Sequence, residues 1–272
     1  MIHVPTALWA HTAFDLAAWG SGLGLSVLLY RWRLKALTEG VAGKVGGGYF
    51  AALAVGAIPG AWLAGSLNTL RDSHPALSHS IVGALVGAIV GVEIYKRIQG
   101  VTGSTGGVFV GPFALGAVIG RFGCFFAGLP DGTYGSPTRL PWAVDLGDGI
   151  GRHPVQLYES ASMALFLIAY LIGLQRRSPW ALRRGFYAMC LWYGVQRFVW
   201  EFLKPYPPLI GPFNLFHLLC GSLVAYGWFY WRADLKRERR PQGGALPVPG
   251  SDHQSVRGLP GAGPGEDHLR GQ

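Results

Sequence analysis

Charge is what this 272-residue chain is short of. Charged residues make up 14% of it, where a soluble domain carries about a quarter, so an ordinary water-solvated fold is excluded. Acidic residues are the scarcer kind, 14 Asp and Glu against 23 Lys and Arg. The resulting net charge of +9 does not imply a nucleic-acid partner, because the basic residues cluster in short loops between apolar runs. Cysteine is scarce as well: Cys124, Cys190 and Cys220 are odd in number and all fall inside apolar runs, which leaves no disulfide framework. The N-terminal segment lacks a basic region ahead of its apolar stretch and is followed by Arg31, Arg33 and Lys35. It reads as a membrane helix that is retained, not a cleaved signal peptide. No internal repeat is visible, so an inverted-repeat transporter has no support.

Apolar residues supply half the chain, with 42 glycines and 13% aromatics, a composition that suits closely packed membrane helices with aromatic belts. Seven apolar stretches are long enough to span: 12–30, 47–67, 79–97, 105–127, 156–175, 184–203 and 209–231. About 20 residues at 1.5 Å each cross a hydrocarbon core of about 30 Å. The predicted architecture is an all-α, polytopic membrane domain over 1–231, with a basic and then Gly/Pro-rich disordered tail over 232–272.

Loop charge sets the expected orientation. The loops 31–44, 96–104, 176–184 and 232–240 hold four, two, four and five Lys or Arg, whereas the opposite loops hold only Arg71, Arg139, Arg152 and Lys204. The positive-inside rule then puts the N-terminus outside and the C-terminus in the cytoplasm. The outer loop 128–155 is long enough to be functional. Its Asp131, Asp145 and Asp148, even with His153, match no metal-ligand spacing and read as turn residues.

Against this apolar background two arginines stand out. Arg121 lies in 105–127 with no acid near it in sequence, and Arg197 lies in Phe-Tyr-Ala-Met-Cys-Leu-Trp-Tyr-Gly-Val-Gln-Arg-Phe-Val-Trp-Glu. A charge in mid-membrane costs about 2.5–3.5 kcal/mol on insertion scales and is usually functional. Two of them point to a held anion, most simply a phosphate. Gly120 and Gly123 flank Arg121 and let backbone or ligand approach; alternatively Arg121 snorkels to the headgroups. Tyr193, Arg197 and Glu201 share one helix face. They either orient a guanidinium for a ligand or pair only with each other. The run Arg152-His153-Pro154-Val155-Gln156-Leu157-Tyr158-Glu159 puts polar groups at a helix start, as an anchor or as part of a site. His79 reads as an interfacial histidine or a base. Cys124 reads as a small buried residue and not as a reactive thiol.

These clusters resemble bacterial prolipoprotein diacylglyceryl transferases. The likeness covers roughly 10–231 and rests on Gly120-Arg121-Phe122-Gly123, on Arg152 to Glu159, and on Tyr193-Gly194-Val195-Gln196-Arg197 with Glu201, in that order and on consecutive spans. The resemblance implies a seven-span inner-membrane enzyme with its active site toward the outer leaflet. It would move a diacylglyceryl group from phosphatidylglycerol to the lipobox cysteine thiol of a preprolipoprotein and release glycerol phosphate, with no cofactor and no metal. The resemblance makes Arg121, Arg197, His79 and Tyr193 catalytic, and Gly120, Gly123, Gly135, His153, Gln156, Tyr158 and Glu201 substrate-binding. The chain reads as a divergent branch: Cys124 stands where the family has Asn, and Ala127-Gly128-Leu129 where it has Asn-Gly-Glu, with Asp131 the acid nearest by. The alternatives are a related phospholipid-using transferase with another acceptor, or a non-enzymatic lipid-binding or transport protein.

Overall fold

Helices of 18 to 25 residues follow the seven apolar stretches in the computed structural model, which describes residues 1–69 and 77–239. They are α1 (Trp9–Leu29), α3 (Gly48–Thr69), α4 (Ile81–Ile98), α5 (Val110–Ala127), α6 (Val155–Gln175), α7 (Pro179–Glu201) and α8 (Leu215–Arg239), with a short α2 (Lys35–Ala42) after α1. The helical segments over Trp9–Ala42, Gly48–Asn68, Gly107–Ala127 and Val155–Gln175 are long and apolar enough to cross a membrane. The remaining three carry more charge: Glu93, Lys96 and Arg97 in α4, Arg183, Arg184, Arg197 and Glu201 in α7, and a basic C-terminal stretch in α8. Leu16, Trp19 and Leu23 of α1 and Phe50, Val55, Ile58 and Trp62 of α3 are exposed. An apolar face that size would aggregate in water and suits hydrocarbon.

Local chemistry sets the helix ends. Ser80 caps α4 by accepting from Gly83 N (3.3 Å), and Lys96 and Arg97 close its last turn against the helix dipole. Gly128, at φ +77°, stops α5. The apolar stretch expected from 209 becomes helical only at Leu215. Pro207-Pro208 and Gly211-Pro212 keep 209–213 in a tight turn, and Asn214 Oδ1 then caps α8 by accepting from His217 N (3.1 Å). At its other end α8 runs to Arg239, past the expected boundary at 231, because Arg184 pairs with Asp234 (2.8 Å) and Glu238, and Arg183 with Glu238 (2.8 Å). The tail beyond 239 and Arg71 of the loop tally lie outside the described residues.

Packing follows small side chains. A Cβ on Gly56 of α3 would stand 2.1 Å from Gly87 O of α4, one on Gly60 2.5 Å from Gly83 O, and one on Gly91 2.3 Å from Ala52 O. Ala52, Gly56 and Gly60 thus form a stripe at four-residue spacing that meets Gly83, Gly87 and Gly91, with the backbones in contact. Elsewhere α5 packs between α1 and α6, and α7 between α6 and α8. Their shared core holds Val110, Ala114, Met163, Tyr170, Leu174, Met189 and Cys190.

One end of the bundle gathers the chemistry. A two-residue parallel pair, β1 (Ile2–His3) with β2 (Val144–Asp145), lays the N-terminus on the 128–155 loop, a small departure from an all-α chain. Ala7 N donates to Phe126 O (2.8 Å), which joins the N-terminal segment to the end of α5, and Ser136 N donates to Leu203 O (2.6 Å), which joins the loop to the chain just after α7. Two acids of the loop, Asp145 and Asp148, behave as turn residues, whereas Asp131 pairs with His11 of α1. Asp145 Oδ1 accepts from Gly147 N and Gly149 N (2.9 Å each), and Asp148 pairs with Arg152 (2.7 Å). The Gly147 N–H above all, then Gly149 N–H and His3, hold the Asp145 carboxyl below its usual range.

Candidate functional site

Five charged side chains from three helices and a loop converge below that end. Glu159, one turn into α6, is at the centre. Its Oε2 takes Nε of Arg121 from α5 and Nη1 of Arg197 from α7 (3.3 Å), and its Oε1 takes Nζ of Lys204 (2.7 Å). Glu201, one turn beyond Arg197, lies 3.7 Å from both Arg197 Nη2 and Lys204 Nζ, and Asn214 Nδ2 donates to its other oxygen (3.3 Å). The Glu159, Arg197, Glu201 and Lys204 side chains are buried, and Arg121 is 11% exposed. Arg121 therefore does not snorkel alone, and Arg197 is not closed on Glu201: both turn to an acid far away in sequence.

Three cations face two acids, which leaves one positive charge over in a dry site. Donors are left over too. Arg197 Nε, the Tyr193 hydroxyl, Gln156 Nε2 and Trp200 Nε1 are buried without a hydrogen-bond partner among the described residues. Buried polar groups are normally satisfied, so such a set calls for a ligand. An anion with several acceptor oxygens is the chemical match.

The flanking loop meets the start of α6 at Gly135. A Cβ there would stand 2.2 Å from His153 O, so only glycine lets the loop close on the start of α6. His153 N donates to Ser136 O (3.1 Å), and its Nδ1 is buried and unpartnered among the described residues. The Tyr158 hydroxyl accepts from Trp142 Nε1 (2.7 Å), and its ring lies 5.2 Å from that of Trp200. Gly123 has a packing role: a Cβ would meet Phe14 Cβ of α1 at 2.8 Å. A Cβ on Gly120 would stand 3.9 Å from Asp15 Oδ1 of α1.

The family model for prolipoprotein diacylglyceryl transferase matches residues 16–232. This chain belongs to that family. Among similar curated proteins, each named phosphatidylglycerol–prolipoprotein diacylglyceryl transferase, that of Methylococcus capsulatus is 34% identical over 53% of this chain and 57% of its own length. That of Solidesulfovibrio magneticus is 31% identical over 70% and 71%. That of Methylocella silvestris is 34% identical over 60% and 61%. The chain thus spans between 57% and 71% of these relatives' length. No solved structure matches it.

The network brings together Arg121, Tyr193, Arg197 and Glu201 of the expected site, and Gln156 stands on α6 three positions before Glu159. His79 is not in it: it is exposed, with its ring 5.9 Å from that of Trp62 on α3. Sequence reasoning left out Lys204 and Asn214, and treated Glu159 as an interfacial group. Lys204 reads as loop charge because Pro205 and a tyrosine follow it in the chain, and only the fold turns it inward. The signal available for Glu159 was its place one turn into an apolar helix. A second group also went unread. His11 on α1 pairs with Asp15 (Nδ1 to Oδ2, 3.0 Å) and Asp131 (Nε2 to Oδ1, 3.2 Å), and Cys124 Sγ lies 4.0 Å from His11 Nε2. Cys124 is only partly buried, unlike Cys190 and Cys220.

Proposed function

We propose that this chain transfers a diacylglyceryl group from phosphatidylglycerol to the lipobox cysteine thiol of preprolipoproteins and releases glycerol phosphate. The observation that carries this reading is the surplus cation of the buried network, set among unpartnered donors: Arg197 Nε, Tyr193 OH and Gln156 Nε2. The names of the similar proteins supply the donor and the acceptor class.

In this reading the lipid phosphate docks against Arg121 and Arg197. Glu159, itself held by Lys204, keeps the two guanidiniums in place, and Tyr193 donates to a phosphate oxygen. As the acceptor sulfur attacks the glyceryl carbon, the carbon–oxygen bond breaks and charge grows on the departing phosphate. Preset cations in a water-poor site stabilise that growth. Gly135 shapes the loop at the start of α6, and His153, Gln156, Tyr158 and Glu201 line or support the site, with Gly120 and Gly123 facing α1 beside Arg121. His79, outside the network and exposed beside Trp62, keeps its place in this reading as a proton acceptor through the family resemblance alone.

The enzyme would sit in the bacterial inner membrane with seven spans, the N-terminus outside and the C-terminus in the cytoplasm. The loop 128–155 and the network would then face the outer leaflet, where a translocated acceptor cysteine emerges. The membrane domain would occupy 1–231 and the tail 232–272. Purified protein given radiolabelled phosphatidylglycerol and a lipobox peptide tests this. Thioether formation with release of glycerol phosphate, lost in Arg121→Ala and Arg197→Ala, is expected. Release of glycerol phosphate with the label on another acceptor points to the related transferase. Phospholipid binding with no release, from well-folded protein, sinks the enzymatic reading.

A further inference from the structure

We infer that His11, Cys124 and Asp131 form a zinc-class metal site beside Arg121, and that the metal takes the acceptor thiol as its fourth ligand. The second half rests on the transferase reading; the first half does not.

The geometry comes first. His11 Nε2, Cys124 Sγ and an Asp131 carboxylate oxygen lie within 4.8 Å of one another, contributed by α1, the end of α5 and the turn after it. The separations are 3.2 Å from nitrogen to oxygen and 4.0 Å from sulfur to nitrogen. Edges of a tetrahedron around zinc, with bonds of about 2.0–2.3 Å, run about 3.3–3.8 Å. With its proton on Nδ1 toward Asp15, the imidazole offers the Nε2 lone pair toward Asp131 and Cys124. A divalent ion bound between the three donor atoms would take one lone pair from each. Thr133 donates its hydroxyl to Asp131 Oδ2, which leaves Oδ1 for that cation. Both supports are hydrogen bonds of the kind that orient metal ligands.

The donor set selects the ion. One imidazole, one thiolate and one carboxylate suit a borderline-soft divalent ion such as zinc, and three protein ligands leave one position open. Charge agrees with the surroundings. Cys124 thiolate and Asp131 neutralise a divalent ion, so Arg121, whose Nη1 is 3.8 Å from Cys124 Sγ, meets a neutral centre and not a repelling one. Asp131 is nearly buried while His11 is 31% exposed, so the open position has a route in.

The placement suggests the use. Arg121 links the two clusters: one side of its guanidinium is on Glu159 and the other beside Cys124. A metal here stands next to the anion clamp. A thiol that coordinates it is deprotonated outright. Its sulfur then forms the new carbon–sulfur bond, and the carbon–oxygen bond to the phosphate breaks with its electron pair on oxygen. The proton lost by the thiol ends on the released glycerol phosphate, which balances the step.

The test uses the full-length protein in detergent, stripped with a chelator and titrated with Co²⁺ alone. About one equivalent is expected, with a near-ultraviolet sulfur-to-cobalt band and displacement by Zn²⁺. Asp131→Asn and His11→Gln should weaken binding by about tenfold or more, and Cys124→Ser should bind without the sulfur band. No saturable binding to protein that keeps its helical circular dichroism overturns the site; His11 is then an imidazolium between two carboxylates. A sulfur band that survives in Cys124→Ser overturns it too. For the second half, zinc-loaded and stripped protein are compared for transfer. Equal rates refute the thiolate role and leave the metal site standing. Metal binding with no glycerol phosphate released from either form sinks the transferase reading, and again leaves the site standing.

Discussion

Replacing Glu159 by Gln is the most direct probe of the buried network. The side chain keeps its shape and loses its charge while Arg121, Arg197 and Lys204 all lose their shared partner. Glu201 then remains as the one acid against three cations, so the excess rises from one charge to two. Removing one partner of a buried ion pair costs about 3–5 kcal/mol, because the other charge stays buried. At 1.4 kcal/mol per tenfold, this is roughly two to three and a half powers of ten in the folding equilibrium. Chemical denaturation of the detergent-solubilised protein, followed by tryptophan fluorescence, measures it. A second change separates charge from packing: Glu159→Gln with Lys204→Met returns the excess to one and should recover more than half of the deficit. Added phosphate should also stabilise Glu159→Gln more than the wild type, since the freed cations bind it. If Glu159→Gln is as stable as the wild type, or Lys204→Met deepens its deficit, the charge-balance reasoning is wrong.

Arg197→Lys should lower turnover about a hundredfold, the size of one electrostatic interaction removed from a transition state, since one ammonium cannot reproduce a planar two-pronged donor; near-normal turnover would count against the clamp. Gly87→Leu should split α3 from α4, since even a Cβ at that position would stand 2.2 Å from Gly56 O, whereas Gly20→Leu, with nothing within 4 Å, should be tolerated; equal thermal inactivation of the two variants would refute the stripe. Asp145 gives a pH signature in the loop 128–155. Its depressed pKa means that its contribution is complete above the ordinary Asp range and is lost as pH falls through the lower folded value. Limited proteolysis of the loop should therefore rise at acidic pH in the wild type and be high at every pH in Asp145→Ala; a wild-type rate flat with pH would refute this.

Much of the fold was legible because its signals are local. Apolar run length predicts each long helix, and Ser80, Gly128 and Asn214 supply caps and stops. The differences at the two ends of α8 have plain causes. The prolines at 207, 208 and 212 delay its start, and the Arg184 pairs with Asp234 and Glu238 extend it. Arg121, Arg197, Tyr193 and Glu201 were legible as candidates because polarity in an apolar helix is costly and therefore informative.

What the sequence by itself determined is which residues are expensive to bury: two arginines in apolar helices, with Tyr193 and Glu201 on the helix face of one of them. What only the tertiary structure decided is their company. Glu159 meets Arg197 across 38 positions and Lys204 across 45, and His11 meets Cys124 across 113. No periodicity carries such pairings, because a helix fixes only the face a side chain leaves from. The neighbour it finds is set by which helices pack, and here small residues and the loop at Gly135 set that.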